Sequence, residues 1–400
     1  VAQDLKWEQF ALEEPVFHGV GEEPASFPEI EDTYDEGAAM REAARCYRCD
    51  AETGSTDYSV HHREDLFSMA RTHPKDVDKH QAMLQKRLSP RDNPYPAERP
   101  ASLDDLVFLP ANLSRLVIDP YREACRIDID LGPDFNLRQP FLVSGLDDAP
   151  EEIRQVASRA AEENGAGVIS RSAPDGSVHW LQILEPGDSG NPRAAGVVQR
   201  WHKSLANEDP LRGISRLKGI SFANVEDIDE VVDYALAHDY GFLMLDSTGD
   251  QGSWHDELVS QPRFELLSET VAALRQRKKE EFLTLIFAGG VRSGTDAARL
   301  IAMGASVVTY GVTSAIAMGG EVHDGGIRWQ SDRTPEERVE GLKAILNANA
   351  GEASMMARCT GKTRLHNLEP EDLRSVTLTT SSTMRVPVPG HNVTGRYGTP

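Results

Sequence analysis

The chain has 400 residues, 39% of them hydrophobic, and a formal charge of −22. That length supplies core for one large domain with an appendage, or for two domains. The acidic balance argues against a nucleic-acid groove or an anionic membrane surface, both of which ask for a basic face. No window approaches the ~18 consecutive apolar residues of a membrane span. The start, VAQDLKWEQF, has neither the charged nor the apolar region of a secretory signal. Four cysteines in so long a chain fit reduced thiols in the cytoplasm better than a disulfide framework. The first residue is not Met, as in a processed chain or a piece of a longer polypeptide.

Residues 1–100 are poorly periodic, rich in Glu, Asp, Pro and His, and broken by eight prolines between Pro15 and Pro100. They read as an extended N-terminal arm with a few short helices, the clearest over 36–48. Within it, Cys46 and Cys49 have the Cys-x-x-Cys spacing of metal or redox sites. No second pair accompanies them, because Cys125 and Cys359 stand alone. Reduced structural thiols, or a metal or cluster shared with another chain, are the readings left. From 101 to 128 apolar patches alternate with turn residues, as in a lead-in that plugs or flanks a barrel.

Regular alternation begins at Pro140. Strands are expected over 141–144, 167–170, 180–184 or 196–201, 217–221, 241–245, 283–288 and 306–310, with helices over 150–164, 225–238, 268–279 and 295–303. Strands alternating with helices imply a parallel sheet. The interval 140–330 is short beside the ~250 residues of a typical (β/α)8 barrel, so some crossovers are trimmed or one strand is missed. A helical tail follows over 335–349 and 352–359, and 377–400 has coil composition. The domain expectation is therefore an arm over 1–100, a barrel with lead-in and helical tail over 101–376, and C-terminal coil over 377–400.

The stretch LTLIFAGGVRSGTDAARLIAMGASVVTYGVTS, residues 283–314, is the most specific part of the chain. Its unbroken apolar run 285–288 suits a parallel strand covered on both faces. Gly289 and Gly290 then let the backbone turn sharply and present bare N–H groups. A helix beginning near Gly294-Thr295-Asp296 leads to a second strand that stops at Gly311. In (β/α)8 barrels the loops after the seventh and eighth strands form a phosphate site at the carboxyl face. That grammar assigns the phosphate to Gly289, Gly290 and Gly311, with the backbones around Val291 and Tyr310.

Four further features sit at strand ends. Arg216-Leu217-Lys218-Gly219-Ile220 puts a Lys in a strand, where it either meets an acceptor inside a barrel or reaches solvent. Ser144-Gly145 ends the first strand, and Ser170-Arg171 the next, facing a ligand or forming ordinary turns and rim. The run 245–252 is rich in turn formers and hydroxyls suited to lining a mouth. No Ser, His and Asp constellation and no G-x-G-x-x-G after a strand stands out.

From about 102 to 376 the chain resembles the FMN-binding barrel of the glutamate synthase family, and more distantly the 2-hydroxyacid oxidase barrels that share the Leu-Lys-Gly strand. The likeness rests on LPANLSR at 109–115, PFLVSG at 140–145, EPGDSG at 185–190, FAGGVRSGTD at 287–296 and GKTRLHNLEPEDL at 361–373. The stretch EAARCYRCD at 42–50 looks like the ending of the family's FAD- and NAD(P)H-binding partner subunit. The resemblance implies a TIM-type α/β barrel holding FMN. Lys218 would lie beside the ring and stabilise its reduced anion as the catalytic cation. Ser144, Gly145 and Ser170 would face the ring. It also implies electrons arriving from an FAD and NAD(P)H subunit in a hetero-oligomer, with an iron–sulfur cluster shared with another chain as a further option.

The departures bear on function. No cysteine lies in 315–326, where the family carries its cluster ligands, and the glutamine-cleaving domain is absent from this sequence. Arg171-Ser172-Ala173-Pro174-Asp175-Gly176 follows Ser170 in place of a Gly-Glu-Gly-Gly run, and Glu185 replaces the Lys expected before Pro-Gly. Losing a mouth cation weakens the case for a dicarboxylate substrate. A catalytically degenerate barrel acting as a structural or docking subunit is thus the alternative expectation. A self-contained hydroxy-acid oxidase is disfavoured, since no His follows the strand at Leu245 to serve as base.

Overall fold

The computed structural model describes residues 33–44, 75–79, 81–82, 100–111, 124–132, 135–184, 188, 190–207, 209–249 and 253–389. The chain divides into two compact units, Val1–Arg99 and Pro100–Pro400. In the first, the expected helix forms over Glu36–Ala44, opened by Asp35, whose Oδ1 accepts from the Ala38 N–H at 2.7 Å. Cys46 and Cys49 lie outside the described residues.

The second unit is built on eight parallel strands that close into a barrel: β1 Phe141–Val143, β2 Gly167–Ser170, β3 His179–Leu184, β4 Gly196–Arg200, β5 Leu217–Phe222, β6 Phe242–Asp246, β7 Thr284–Ala288 and β8 Val307–Tyr310. The ring shuts where β8 pairs with β1, Val308 opposite Phe141 and Tyr310 opposite Val143. The expected α/β barrel is therefore present, and both segments held as alternatives for the third strand are strands.

The economy of length comes from the crossovers. Helices follow β1 (α1, Glu151–Asn164), β5 (α2, Ile228–Ala237), β6 (α3, Trp254–Val259, and α4, Glu265–Gln276), β7 (α5, Gly294–Ala302) and β8 (α6, Val312–Ala317, and α7, Pro335–Cys359). Among the described residues no α-helix follows β2, β3 or β4. The outer core on that side includes the bulky residues Trp180, Trp201, Leu205 and Leu211.

Strand alternation divides the apolar residues into two cores. Leu142, Ile169, Leu181, Ile183, Val198, Phe242, Met244, Ile286, Ala288 and Val307 cluster with one another and with no helix residue, which places them inside the barrel. Their strand neighbours Val143, Val168, Val197, Ile220, Leu243, Leu245, Phe287 and Val308 pack with the helices outside. The lead-in closes the amino end of the barrel. Its hairpin, Ile129–Asp130 against Asn136–Leu137, adds Leu131, Phe135 and Leu137 to the inner core. Upstream, Leu106–Phe108 pairs antiparallel with Leu373–Ser375, so this segment both plugs and flanks.

The helix before β8 is capped by Ser293, whose side chain accepts from the Asp296 N–H, while Thr295 Oγ1 bonds Glu352. Two local expectations change. The tail is one helix through Gly351, opened by a capping box of Thr334 and Glu337 with Pro335 in its first turn. The segment from Thr377 is not coil throughout: Leu378–Met384 is helical, and Met384 and Val386 are buried.

Candidate anion cradle at the carboxyl rim

The ends of β7 and β8 come together as the sequence implies. Gly289 and Gly290 take φ of 96° and 73°, in the region that favours glycine. Ser247 ties the end of β6 to this turn, donating from Oγ to the Ala288 carbonyl at 2.6 Å. Across the seam, the Ser144 N–H donates to the Tyr310 carbonyl at 3.1 Å, joining β1 to β8. Val291 is buried, and its carbonyl accepts from Thr313 Oγ1 at 2.8 Å. Tyr310 points outward, its ring edge-on to Phe141 at 5.0 Å and its hydroxyl donating to the Ser293 carbonyl at 3.1 Å. Burial drives its phenol pKa well upward, so the hydroxyl stays protonated and directed at that carbonyl.

A protein carboxylate sits between the two strand ends. Glu257, on the short helix α3, accepts from the Gly290 N–H through Oε1 at 3.1 Å and from the Val312 N–H through Oε2 at 2.9 Å. A Cβ on Gly311 would overlap Oε2 of this carboxylate. Burial raises the Glu257 pKa, and the two amide hydrogen bonds pull it back in part. The site expected to hold a phosphate therefore holds a carboxyl group of the chain itself.

One turn earlier on α3, Trp254 covers the end of β1. Its Nε1–H donates to the Ser144 carbonyl at 3.1 Å, and a Cβ on Gly145 would overlap the indole. A hairpin after β8, Gly320–His323 against Gly326–Trp329, clamps α3 from outside. Trp329 approaches Trp254 at 5.5 Å between ring centroids, and His255 Nδ1 donates to the Gly325 carbonyl at 2.7 Å. Ser253 Oγ donates to Asp148 at 2.9 Å, tying the start of α3 to the loop after β1.

Beneath this plug three buried hydroxyls, Ser144 Oγ, Thr248 Oγ1 and Thr309 Oγ1, have no hydrogen-bond partner among the described residues. Ser144 Oγ lies 3.2 Å from the position a Gly311 Cβ would take, and Thr248 Oγ1 lies 2.9 Å from that of Gly289. Buried polar atoms are ordinarily satisfied, so Ser144 Oγ and Thr248 Oγ1 stand out beside the glycine turns.

Two residues expected at the mouth are elsewhere. Gly219 faces the barrel interior, where a Cβ would overlap the Phe242 ring, so Lys218 beside it faces outward. Lys218 pairs with outward Val197, near the amino end of β5, and its Nζ lies 4.8 Å from the centroid of the Tyr240 ring. Ser170 shares the outward parity of Val168. Its hydroxyl donates to the Ser172 carbonyl at 2.7 Å, and its own carbonyl accepts from Trp180 Nε1 at 3.1 Å. Arg171, the next residue, engages Asp147 through its backbone N–H at 2.8 Å and its guanidinium at 3.7 Å. The structure thus gathers Ser144, Gly145, Gly289, Gly290 and Gly311 at one rim and leaves Lys218 and Ser170 outside it. Sequence reasoning missed Glu257 and Trp254. The only signal was an acidic and an aromatic residue three apart beside a predicted mouth loop.

The closed eight-stranded parallel barrel, with its glycine turns at the last two strands, defines the class: a TIM-type α/β barrel. Two mutant structures of flavocytochrome b2, one with benzoylformate and one with pyruvate bound, align with this chain at TM-score 0.50. They are 18% and 16% identical to it, cover 73% and 72% of it, and are themselves covered to 80% and 79%. That likeness is one of fold. The conserved region of glutamate synthase is matched over residues 248–325, which contain Trp254, Glu257 and the glycines at 289, 290 and 311. A glutamate synthase large subunit-like protein of Rhizobium meliloti (strain 1021) is 24% identical over 385 residues, covering 72% of this chain and 87% of the relative. The chain therefore carries the glutamate synthase conserved region and is a distant homologue of that large subunit-like protein. No helix among the described residues is long and apolar enough to cross a membrane.

Proposed function

We propose that this chain is a glutamate synthase-type barrel whose flavin site is filled by its own residues, and that it serves a larger redox assembly as a structural or docking subunit. The observation that carries this reading is the Glu257 carboxylate bonded to both Gly290 and Val312, with the Trp254 indole over Ser144 and Gly145. FMN fits this arrangement at one end only. The amide pair and the orphaned hydroxyls suit a phosphoryl group, but its place is taken. The ring would meet Trp254, and Lys218 lies on the wrong face of β5 to stabilise a reduced ring. The proposed partner is an FAD- and NAD(P)H-binding redox subunit, because the sequence at 42–50 resembles the ending of such a subunit.

A second reading keeps the barrel as an FMN-dependent oxidoreductase that receives electrons from that subunit, with α3 leaving the mouth when flavin binds. The three unpartnered hydroxyls favour it. The visible spectrum of the purified protein separates the two. A folded, colourless protein that does not acquire flavin absorbance when incubated with FMN is expected. Stoichiometric FMN released on denaturation would overturn the closed-barrel reading and establish the second.

A further inference from the structure

We propose that His366 is an acid-sensitive latch: while neutral it holds a strap made of the lead-in and the tail against the amino end of β8, and protonation of its ring releases that strap. The latch lies at the opposite end of the barrel from Glu257, within the tail stretch GKTRLHNLEPEDL at 361–373. Here tail and lead-in run side by side. The Arg126 N–H donates to the Thr363 carbonyl at 2.9 Å, and the Leu365 N–H donates to the Arg126 carbonyl at 2.8 Å. A few residues on, the lead-in enters the Ile129–Asp130 strand of the hairpin that closes this end, so strap and stopper are one run of chain. His366 itself sits in the 3-10 turn Leu365–Asn367, which packs on α5 and α7. Its Nε2 donates to the Ser306 carbonyl at 2.8 Å. Ser306 leads into β8, and its N–H donates to the Leu285 carbonyl of β7 at 2.7 Å. The imidazole therefore pins the turn to the seam between the last two strands.

Because a carbonyl only accepts, Nε2 carries the ring hydrogen and the neutral ring keeps its lone pair on Nδ1. That nitrogen is buried and has no hydrogen-bond partner among the described residues. A second proton can go only there, where it creates a charged N–H with nothing to receive it. Of the charged groups that act on the ring, Arg364 on the same turn opposes a positive charge and Asp128 on the lead-in favours one. Asp128 is already engaged by Arg126 at 2.7 Å, and no charged group of α5 or α7 acts on the ring. Burial, aided by Arg364, pushes the His366 pKa below the usual imidazole range, against the pull of the Ser306 hydrogen bond and of Asp128. The closure is thus at full strength above the ordinary value of 6.5 and is lost as pH falls through the lower folded value. The strap is also easier to open than the sheet it rests on, since Thr363, Arg364 and Asn367 are exposed while Ile286 and Val308 are fully buried.

The test is hydrogen exchange of the full chain from about pH 7.5 down to about pH 5, corrected for the intrinsic pH dependence of exchange. Protection of the Leu365 and Arg126 amides should fall roughly fivefold or more over that range. The Val308 amide, bonded to the Pro140 carbonyl in the sheet, should keep its protection. The loss should share its midpoint with the His366 imidazole, followed by NMR in the same samples. H366Q, whose side-chain amide can still donate to Ser306 but does not titrate, should abolish the pH dependence. Strap protection that stays flat with pH in the wild type would overturn the inference, as would an unchanged pH dependence in H366Q. If H366Q does not fold, the wild-type titration decides. Coincident midpoints support the latch, whereas distinct midpoints, or Val308 losing protection in step with the strap, count against it.

Discussion

The two ends of the barrel are stoppered by different chemistry. At the amino end the stopper is apolar: Leu131, Phe135 and Leu137 continue the inner core without a break. At the carboxyl end it is an indole N–H and a carboxylate, bonded to backbone groups and lying over hydroxyls that it leaves unsatisfied. An apolar stopper gains stability from every methylene it buries. A carboxylate stopper carries a desolvation cost that two amides offset only in part, as the raised Glu257 pKa records. The amino end thus continues the apolar core, and the carboxyl end is a polar closure that carries a desolvation cost.

The contrast can be broken most forcefully at Phe135. F135A removes a fully buried ring from the inner core and is expected to cost about 3–5 kcal/mol in chemical denaturation, with no selective change at the mouth. W254A should cost less, nearer ~3 kcal/mol, because water can replace the indole at the Ser144 carbonyl. Its signature is local: hydrogen exchange at Gly290 and Val312 should accelerate ahead of global unfolding. Equal protection of those amides in W254A and wild type would remove the distinction between the two ends.

A smaller effect tests the buried charge. Because the Glu257 pKa is raised in the folded state, the unfolded chain loses its proton first as pH rises above the ordinary value of 4.5. Stability is therefore greatest below that value and falls as pH climbs through the folded pKa, by at most ~1.4 kcal/mol per pH unit. E257Q lacks this titration, so the stability of wild type relative to E257Q should decline over that window and then level off. A flat difference would show that the carboxylate is well solvated. The smallest change is expected from K218M, about 0.5–1 kcal/mol from loss of the contact with Tyr240, with the mouth unaffected.

Much of this architecture is legible in the sequence because β7, α5 and β8 carry consistent signals: an unbroken apolar strand, paired glycines, a one-faced helix and a second strand. The eight-strand count was obscured by the connections after β2, β3 and β4, where no helical periodicity separates the strands. Lys218 illustrates a deeper limit. In a strand covered on both faces, Leu217, Ile220 and Phe222 are all apolar, so nothing in the pattern says which parity faces inward. A one-residue change of parity moves a side chain to the opposite face. Here the discriminating residue was Gly219, which makes room for Phe242 from the neighbouring strand. Glu257 and Trp254 escaped notice for another reason. A six-residue helix has too few turns to show a period, and a hydrogen bond to backbone amides leaves no trace in residue type.

The long helix α7 has a consequence for how the molecule is made. It packs on α1 and on α5, and so straddles the junction between the first and last strands. Asn164 Nδ2 donates to the Lys343 carbonyl at 3.1 Å, Lys343 Nζ pairs with Glu163 at 2.8 Å, and the Gly294 N–H donates to Glu352 at 2.9 Å. The earliest helix of the barrel thus waits for a partner synthesised almost two hundred residues later, the kind of long-range pairing that slows folding. Ring closure waits in the same way for β8, which pairs with Phe141–Val143 and covers an edge that is otherwise open to a neighbouring chain.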